Sequence, residues 1–340
     1  MNEDNSTQYQ DDSVQLSQRQ IDARSGLNIS YHGQGGEFFK IHIVNILLTV
    51  VTLGLYYPWA KAKLLQYHYA ETELKGSRFT FHGTGKEMFV GMLKALVLFG
   101  VLYGVLFVAI KFYPQNPTII ISAALLFYLG ILLIMPIAIV GSVRYRASRS
   151  SWRGIHFQYV GNLTSMYKVF GMGVLYTILT FGIYGVWFGN NIRKEVLDNL
   201  KWGNVKFSFT GDGGSLFGIH IVGYLLSYIT IGIYFFKYQS NVFNFNIDNM
   251  KMDQGGNTGG FKASTTGMGL FKVLIGNLFI IVFTLGLAMP YAMVRYMKYI
   301  VSNIKIMGFV DLDNLEQGEL EETNAVGEGL LDALDMDIIF

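Results

Sequence analysis

The chain has no cysteine in 340 residues, so disulfides, thiolate metal sites and cysteine nucleophiles are excluded. Charge is also scarce. Asp, Glu, Lys and Arg make up 15% of residues, against about 25% in an ordinary soluble domain. Proline occurs five times. No stretch combines the positive start and apolar core of a signal peptide, because residues 1–28 are rich in Gln, Ser, Asn and Asp. Hydrophobic residues are abundant at 51%, and mean hydropathy is +0.34. Six apolar stretches are each long enough for one helical crossing. They are Phe38–Trp59, Phe89–Ile110, Ile119–Val140, Met166–Phe188, Leu216–Phe236 and Met268–Tyr291. The expectation is an all-α polytopic membrane protein with about six membrane helices from five internal repeats. Short β-strands and amphipathic interfacial helices would lie between them.

Charge is partitioned along the chain. Residues 308–340 hold ten acids and no base, while residues 38–307 hold 24 bases and eight acids. Bases beside membrane segments favour the cytoplasmic face and attract anionic lipid. The sequence therefore divides into a disordered polar tail (1–28), a repeat-built membrane domain (29–307) and an acidic C-terminal tail (308–340).

A Thr-φ-Gly-φ signature, with φ apolar, marks the repeats. It occurs at Thr52/Gly54, Thr180/Gly182, Thr230/Gly232 and Thr284/Gly286. Nineteen residues before each Thr stand Gly33, Gly161, Gly211 and, in the last copy, Thr265. Equal spacing in four places indicates a true repeat. A fifth copy starts at Phe79-Thr-Phe-His-Gly83, holds the second and third apolar stretches, and lacks the signature. Alternating segments before each copy, such as Val205-Lys-Phe-Ser-Phe209, read as short strands. The segment at Phe261 is a degraded version.

Two topologies follow. Single crossings would alternate the copies across the membrane. Hairpins that enter and leave on one side would put every strand and nearly every base on that side, leaving Lys111 opposite. The second arrangement fits the charges better.

Several polar residues invite a functional reading. His42 and His220 each lie nine residues after a repeat glycine, inside an apolar stretch. Ionisable groups there are costly and are candidates for proton relay. Asn45 and Asn277 hold equivalent positions and suit hydrogen bonds between helices. Lys40, Lys94 and Lys272 sit near helix starts, where lysines snorkel to headgroups. The turn Gly83-Thr-Gly85-Lys86 and the bases Lys61, Lys63, Arg144 and Arg146 are candidate headgroup contacts. Metal-ligand clusters, paired carboxylates and a nucleophile elbow are all missing, so neither catalysis nor a cofactor or metal is expected. Bases and aromatics interleave at membrane edges, which points to anionic lipid as partner rather than nucleic acid.

Two segments carry a family resemblance: Phe79-Thr-Phe-His-Gly-Thr-Gly-Lys-Glu87 and Val44-Asn-Ile-Leu-Leu-Thr-Val-Val-Thr-Leu-Gly-Leu-Tyr-Tyr-Pro-Trp-Ala60. With the Gly76–Phe81 turn and strand and Asp311-Leu-Asp-Asn-Leu315, they resemble the YjgN family of bacterial inner-membrane proteins. The likeness covers roughly residues 28–315. It implies an inner-membrane address and no reaction. The chain departs from the family in its short single-stretch copies, where relatives have fuller hairpins. The expected role is a membrane structural or envelope-associated, lipid-contacting factor. The alternative is a transporter or channel for a small solute, with a path near His42, Asn45 and His220.

Overall fold

A computed structural model describes residues 26–317. Residues 1–25 of the proposed N-terminal tail and most of the acidic C-terminal tail lie outside the described residues, while Leu27 and Asn28, assigned to the tail, belong to a strand. The described chain runs strand, helix, helix, strand five times in succession. The units are β1 (Leu27–Tyr31), α1 (Gly35–Val51), α2 (Tyr57–Ala70) and β2 (Thr72–Leu74); β3 (Ser77–Phe81), α3 (Gly85–Phe112), α4 (Pro117–Arg149) and β4 (Ser150–Trp152); β5 (Ile155–Tyr159), α5 (Leu163–Leu179), α6 (Gly185–Asp198) and β6 (Leu200–Trp202). Then follow β7 (Val205–Phe209), α7 (Gly213–Ile229), α8 (Phe235–Asp248) and β8 (Met250–Gln254), and β9 (Asn257–Ala263), α9 (Gly267–Phe283), α10 (Met289–Ser302) and β10 (Ile304–Gly308).

All ten strands pair antiparallel with their sequence neighbours, and β10 pairs with β1, which closes a barrel. This overturns the expected all-α fold. Six single crossings are overturned as well. Among the described residues only α3 and α4 are long and apolar enough to cross a membrane. The physical reason is a reversal inside each remaining stretch. Phe38–Trp59, for example, contains most of α1, a tight turn and the start of α2. Hydropathy registers the apolar length and not the turn. The segment at Phe261, read as degraded, is the seven-residue strand β9.

Period-two alternation fills the barrel. In β7 Val205, Phe207 and Phe209 are buried while Lys206 and Ser208 are exposed. Inside, the rings of Phe157 and Trp202 stack at 5.1 Å, and Trp152 meets Trp202 edge-on at 5.4 Å. Phe79 and Phe157 join Trp202 and Phe207 in one continuous aromatic core. The barrel is thus packed solid.

Both strands of each unit leave the same rim, so all five helix pairs project from one end of the barrel. At the base of each pair one bond recurs. The N–H groups of His32, His82, Val160, Thr210 and Ser264 donate to the carbonyls of Glu71, Arg149, Asn199, Asn249 and Asn303. Neighbouring helices pack in chain order, and α10 packs on α1, so the helices also form a closed ring.

The opposite end carries the tight turns between units. Residues after β10 cross this end as a strap. Leu312 is buried in the core, and the Asp313 carboxylate accepts from Lys75 (2.7 Å) and Arg153 (2.8 Å). Farther on, the Gln317 side chain accepts from the His156 N–H at 2.6 Å. Lys75 and Arg153 hold the Asp313 carboxyl below the usual carboxylate range by hydrogen bonding, with burial opposing.

Candidate membrane-contact site

The Thr-φ-Gly-φ signature builds the tips of four short helix pairs. The Thr52 hydroxyl donates to the Leu48 carbonyl (2.7 Å) and accepts from the Tyr56 N–H (3.0 Å). Thr180, Thr230 and Thr284 make the same two bonds. One hydroxyl therefore joins the last turn of the outgoing helix to the first turn of the returning one. The glycine N–H closes the turn by donating five residues back, as from Gly54 to Thr49 at 2.7 Å. Gly54, Gly182, Gly232 and Gly286 have φ between +85° and +92°, a region that glycine enters without penalty.

The residue between Thr and Gly was not singled out by sequence, and it is the more informative one. Leu53, Phe181, Ile231 and Leu285 have φ near +50°. Their exposures are 94%, 98%, 95% and 93%. A large apolar side chain in the left-handed region costs about 1–2 kcal/mol. Here four such side chains are presented with almost no protein contact. The available signal was that all four φ positions are large and apolar where a turn in water would carry Asn, Asp or Gly.

A lysine precedes three of the four tips at a fixed distance. Lys40, Lys168 and Lys272 each lie 13 residues before the tip residue of their own pair. At 1.5 Å per residue that is about 20 Å. Beyond the lysines the surface is apolar and exposed, as at Val44, Leu47, Val50 and Val51 on α1. By contrast α3 and α4, with 28 and 33 residues, reach about 42 and 50 Å.

The polar candidates fall into separate places. Asn45 Nδ2 donates to the Ala60 carbonyl at 3.4 Å, and Asn277 Nδ2 to the equivalent Ala292 carbonyl at 2.8 Å. Each clamps its outgoing helix to its return helix. His220 Nδ1 lies 2.6 Å from the Tyr238 hydroxyl within the fourth pair. His42 lies in the first pair, with its ring 5.8 Å from Phe38 and Nδ1 buried without a hydrogen-bond partner. The two histidines belong to different pairs, and α1 and α7 are not neighbours in the ring.

The Gly83–Lys86 turn is dictated by packing. A Cβ on Gly83 would lie 2.4 Å from the Phe81 ring, and one on Gly85 would lie 2.4 Å from Trp59. Lys86 is exposed beside them. Lys63 sits over the Tyr56 ring at 5.7 Å, and Lys61 lies two residues earlier on α2. Arg144 donates to the Gly161 carbonyl at 2.9 Å, tying α4 to the next unit, with Arg146 half-buried nearby.

The root of the long pair is ionic. Glu87 accepts from Arg149 at 2.6 Å and from the Tyr145 hydroxyl at 3.2 Å. It also completes a capping box with Thr84. Beside it the His82 and His156 rings lie 5.0 Å apart. Burial, then His156 and Arg149, lower the His82 pKa. At the rim, burial pushes the Tyr159 hydroxyl up to about 12, with Glu195 adding to the effect. No group of three or more metal-ligating side chains occurs among the described residues.

Sequence comparison places this architecture. A family described as "Bacterial protein of unknown function (DUF898)" matches residues 26–210 and 235–333. The chain belongs to this family. Inner membrane protein YjgN of Escherichia coli O157:H7 is 33% identical over 159 residues, covering 44% of this chain and 37% of that protein. YjgN of E. coli K12 is 31% identical over the same length, and YjgN of Salmonella typhimurium is 32% identical over 129 residues, or 37% of this chain and 30% of that protein. The chain spans about a third of the length of the curated relatives it matches. No solved structure matches. The YjgN resemblance thus holds, and the DUF898 chain is a bacterial inner-membrane protein.

Proposed function

We propose that this protein is a structural, lipid-contacting factor that holds a packed β-barrel against one face of the inner membrane. The carrying observation is the set of four exposed apolar tips, Leu53, Phe181, Ile231 and Leu285, all projecting from one rim. Water offers them nothing, whereas hydrocarbon stabilises each by burial. In this reading α3 and α4 cross the bilayer, and the four short pairs dip in and return. Of the 24 bases between residues 38 and 307, Lys111 alone lies near the far loop, so the barrel faces the cytoplasm. The rim and return-helix bases, among them Lys61, Lys63, Lys86, Arg144 and Arg146, meet anionic headgroups. The recurring strand–helix–helix–strand order supports descent of the units from one duplicated element.

A solute pathway draws little support. Aromatic rings fill the barrel. His42 and His220 line no common cleft, and Asn45 and Asn277 are engaged in clamping. This reading includes no chemical step.

The natural lack of cysteine makes the test direct. Single cysteines at Leu53, Phe181, Ile231 and Leu285 should resist a membrane-impermeant thiol reagent from both sides. Lys206→Cys should react only from the cytoplasmic side, and Asn116→Cys only from the periplasmic side. Aqueous labelling of the tips, or of Lys206→Cys from the periplasm, refutes the proposal.

A further inference from the structure

Membrane insertion of this fold is lopsided. In the dipping-hairpin reading all ten described helices enter the bilayer from the barrel side. Among the described residues only α3 and α4 have the length to reach the far side. Three of the four short pairs stop about 20 Å beyond Lys40, Lys168 and their equivalent Lys272; the fourth has Gly218 at that position and an outgoing helix of the same 17 residues, and a hydrocarbon core of about 30 Å places its midplane about 15 Å below the headgroup boundary. The tips therefore end near the midplane when those lysines sit among headgroups. Eight helices thus occupy the near leaflet without counterpart in the other. With a helix about 10–12 Å across, their added cross-section is about 600–900 Å². Moreover, the helix ring is closed, since α10 packs on α1, so the helices cannot scatter to dilute that area.

Area added to one leaflet alone is relieved when that leaflet lies on the outside of a bend. From this geometry we infer that the protein senses and promotes membrane curvature, favouring membrane that bulges toward its barrel. The inference rests on the dipping-hairpin reading above and adds a mechanical activity to it. Lipid is the required occupant of the helix surfaces. The tip residues are 93–98% exposed and apolar, and the lysines above three of them supply the charge that headgroups complement.

The test uses the full chain reconstituted in giant vesicles from which narrow tubes are drawn. An impermeant dye on Lys206→Cys reports only molecules whose barrel faces outward. The same dye on Asn116→Cys reports only the inverted population. Outward-facing molecules should be enriched several-fold in tubes relative to the flat membrane, and inverted molecules depleted. A fluorophore on Leu285→Cys, quenched by lipids brominated along the acyl chain, is read in the same vesicles. Deep quenching with equal partition of both populations overturns the curvature inference and leaves the hairpin reading intact. No quenching at the tip overturns both, and assigns the tips to contact with a second protein copy.

Discussion

Thr265 is accommodated because Ala263, two residues earlier, is an alanine. In the other four units an aromatic ends the strand and a glycine follows two residues later: Tyr31/Gly33, Phe81/Gly83, Tyr159/Gly161 and Phe209/Gly211. A Cβ on those glycines would stand 2.4–2.5 Å from the ring. In the fifth unit no ring intrudes, and Thr265 instead bonds Asn244 Oδ1 at 2.7 Å. Overpacking of this kind costs about 1–3 kcal/mol. Gly211→Ala should lower the thermal midpoint in detergent by that equivalent. The loss should shrink when Phe209→Ala is present, because the two positions share one contact. Additive losses in a double-mutant cycle would show that the ring is not what excludes the side chain.

The strap over the closed end should be sensitive to acid. Lys75 and Arg153 hold the Asp313 carboxyl below its ordinary value. A depressed folded pKa stabilises above the ordinary carboxylate range, and the stabilisation is lost as pH falls through the folded value. The Asp313 side chain is 56% exposed, so solvent and salt screen most of the pair. About 0.5–1 kcal/mol is expected. Asp313→Asn should therefore be less stable than the parent near neutral pH and low salt, with the two unfolding curves converging in acid. A gap that never closes as the medium is acidified, or that widens with salt, would contradict this account.

Local chemistry in this sequence was easier to read than closure. The equal spacing from Gly33 to Thr52 and its copies announced a recurring element, and β7 announced itself by alternation. The return strands did not. Thr72–Leu74, Ser150–Trp152 and Leu200–Trp202 are three residues each, too short to show a period. Closing β10 onto β1 joins residues nearly the whole described chain apart, which no local pattern encodes. The tips failed for a different reason. Thr52 and Gly54 mark the repeat, but reversal depends on Leu53 entering the left-handed region, and leucine gives no warning of that. His42 and His220 looked like a shared polar site because their spacing matched. Spacing within a repeat places residues at equivalent positions on different arms rather than side by side.

At the root of the long pair, Glu87 makes three contacts at once. It accepts from Arg149, Tyr145 and the Thr84 N–H (3.1 Å). Removing it leaves Arg149 half-buried beside the barrel rim. Glu87→Ala should destabilise by about 1–3 kcal/mol. Glu87→Gln retains acceptors for Tyr145 and Thr84 but loses the charge facing Arg149, so it should fall between parent and Ala. Thr84→Ala removes only the reciprocal cap and should cost about 1 kcal/mol. Unfolding midpoints that fail to rank parent, Gln, Ala in that order would show that the charge at position 87 is not what secures this root.

Ile231 separates the backbone's preference from the membrane's. It is β-branched, 95% exposed and held at φ +49°, an unfavourable combination for a residue that touches little protein. Ile231→Gly should therefore raise the unfolding midpoint in detergent, by the equivalent of about 1 kcal/mol, because glycine adopts this conformation freely. Ile231→Asp should be nearly neutral in detergent, where the tip can reach water. In a bilayer the same aspartate would lie near the midplane, at a cost of about 2.5–3.5 kcal/mol. Paired unfolding measurements in micelles and in liposomes test both statements. If Ile231→Asp behaves alike in the two, the tip does not reside in hydrocarbon. The unfavourable isoleucine would then have to be explained by a partner surface that shields it.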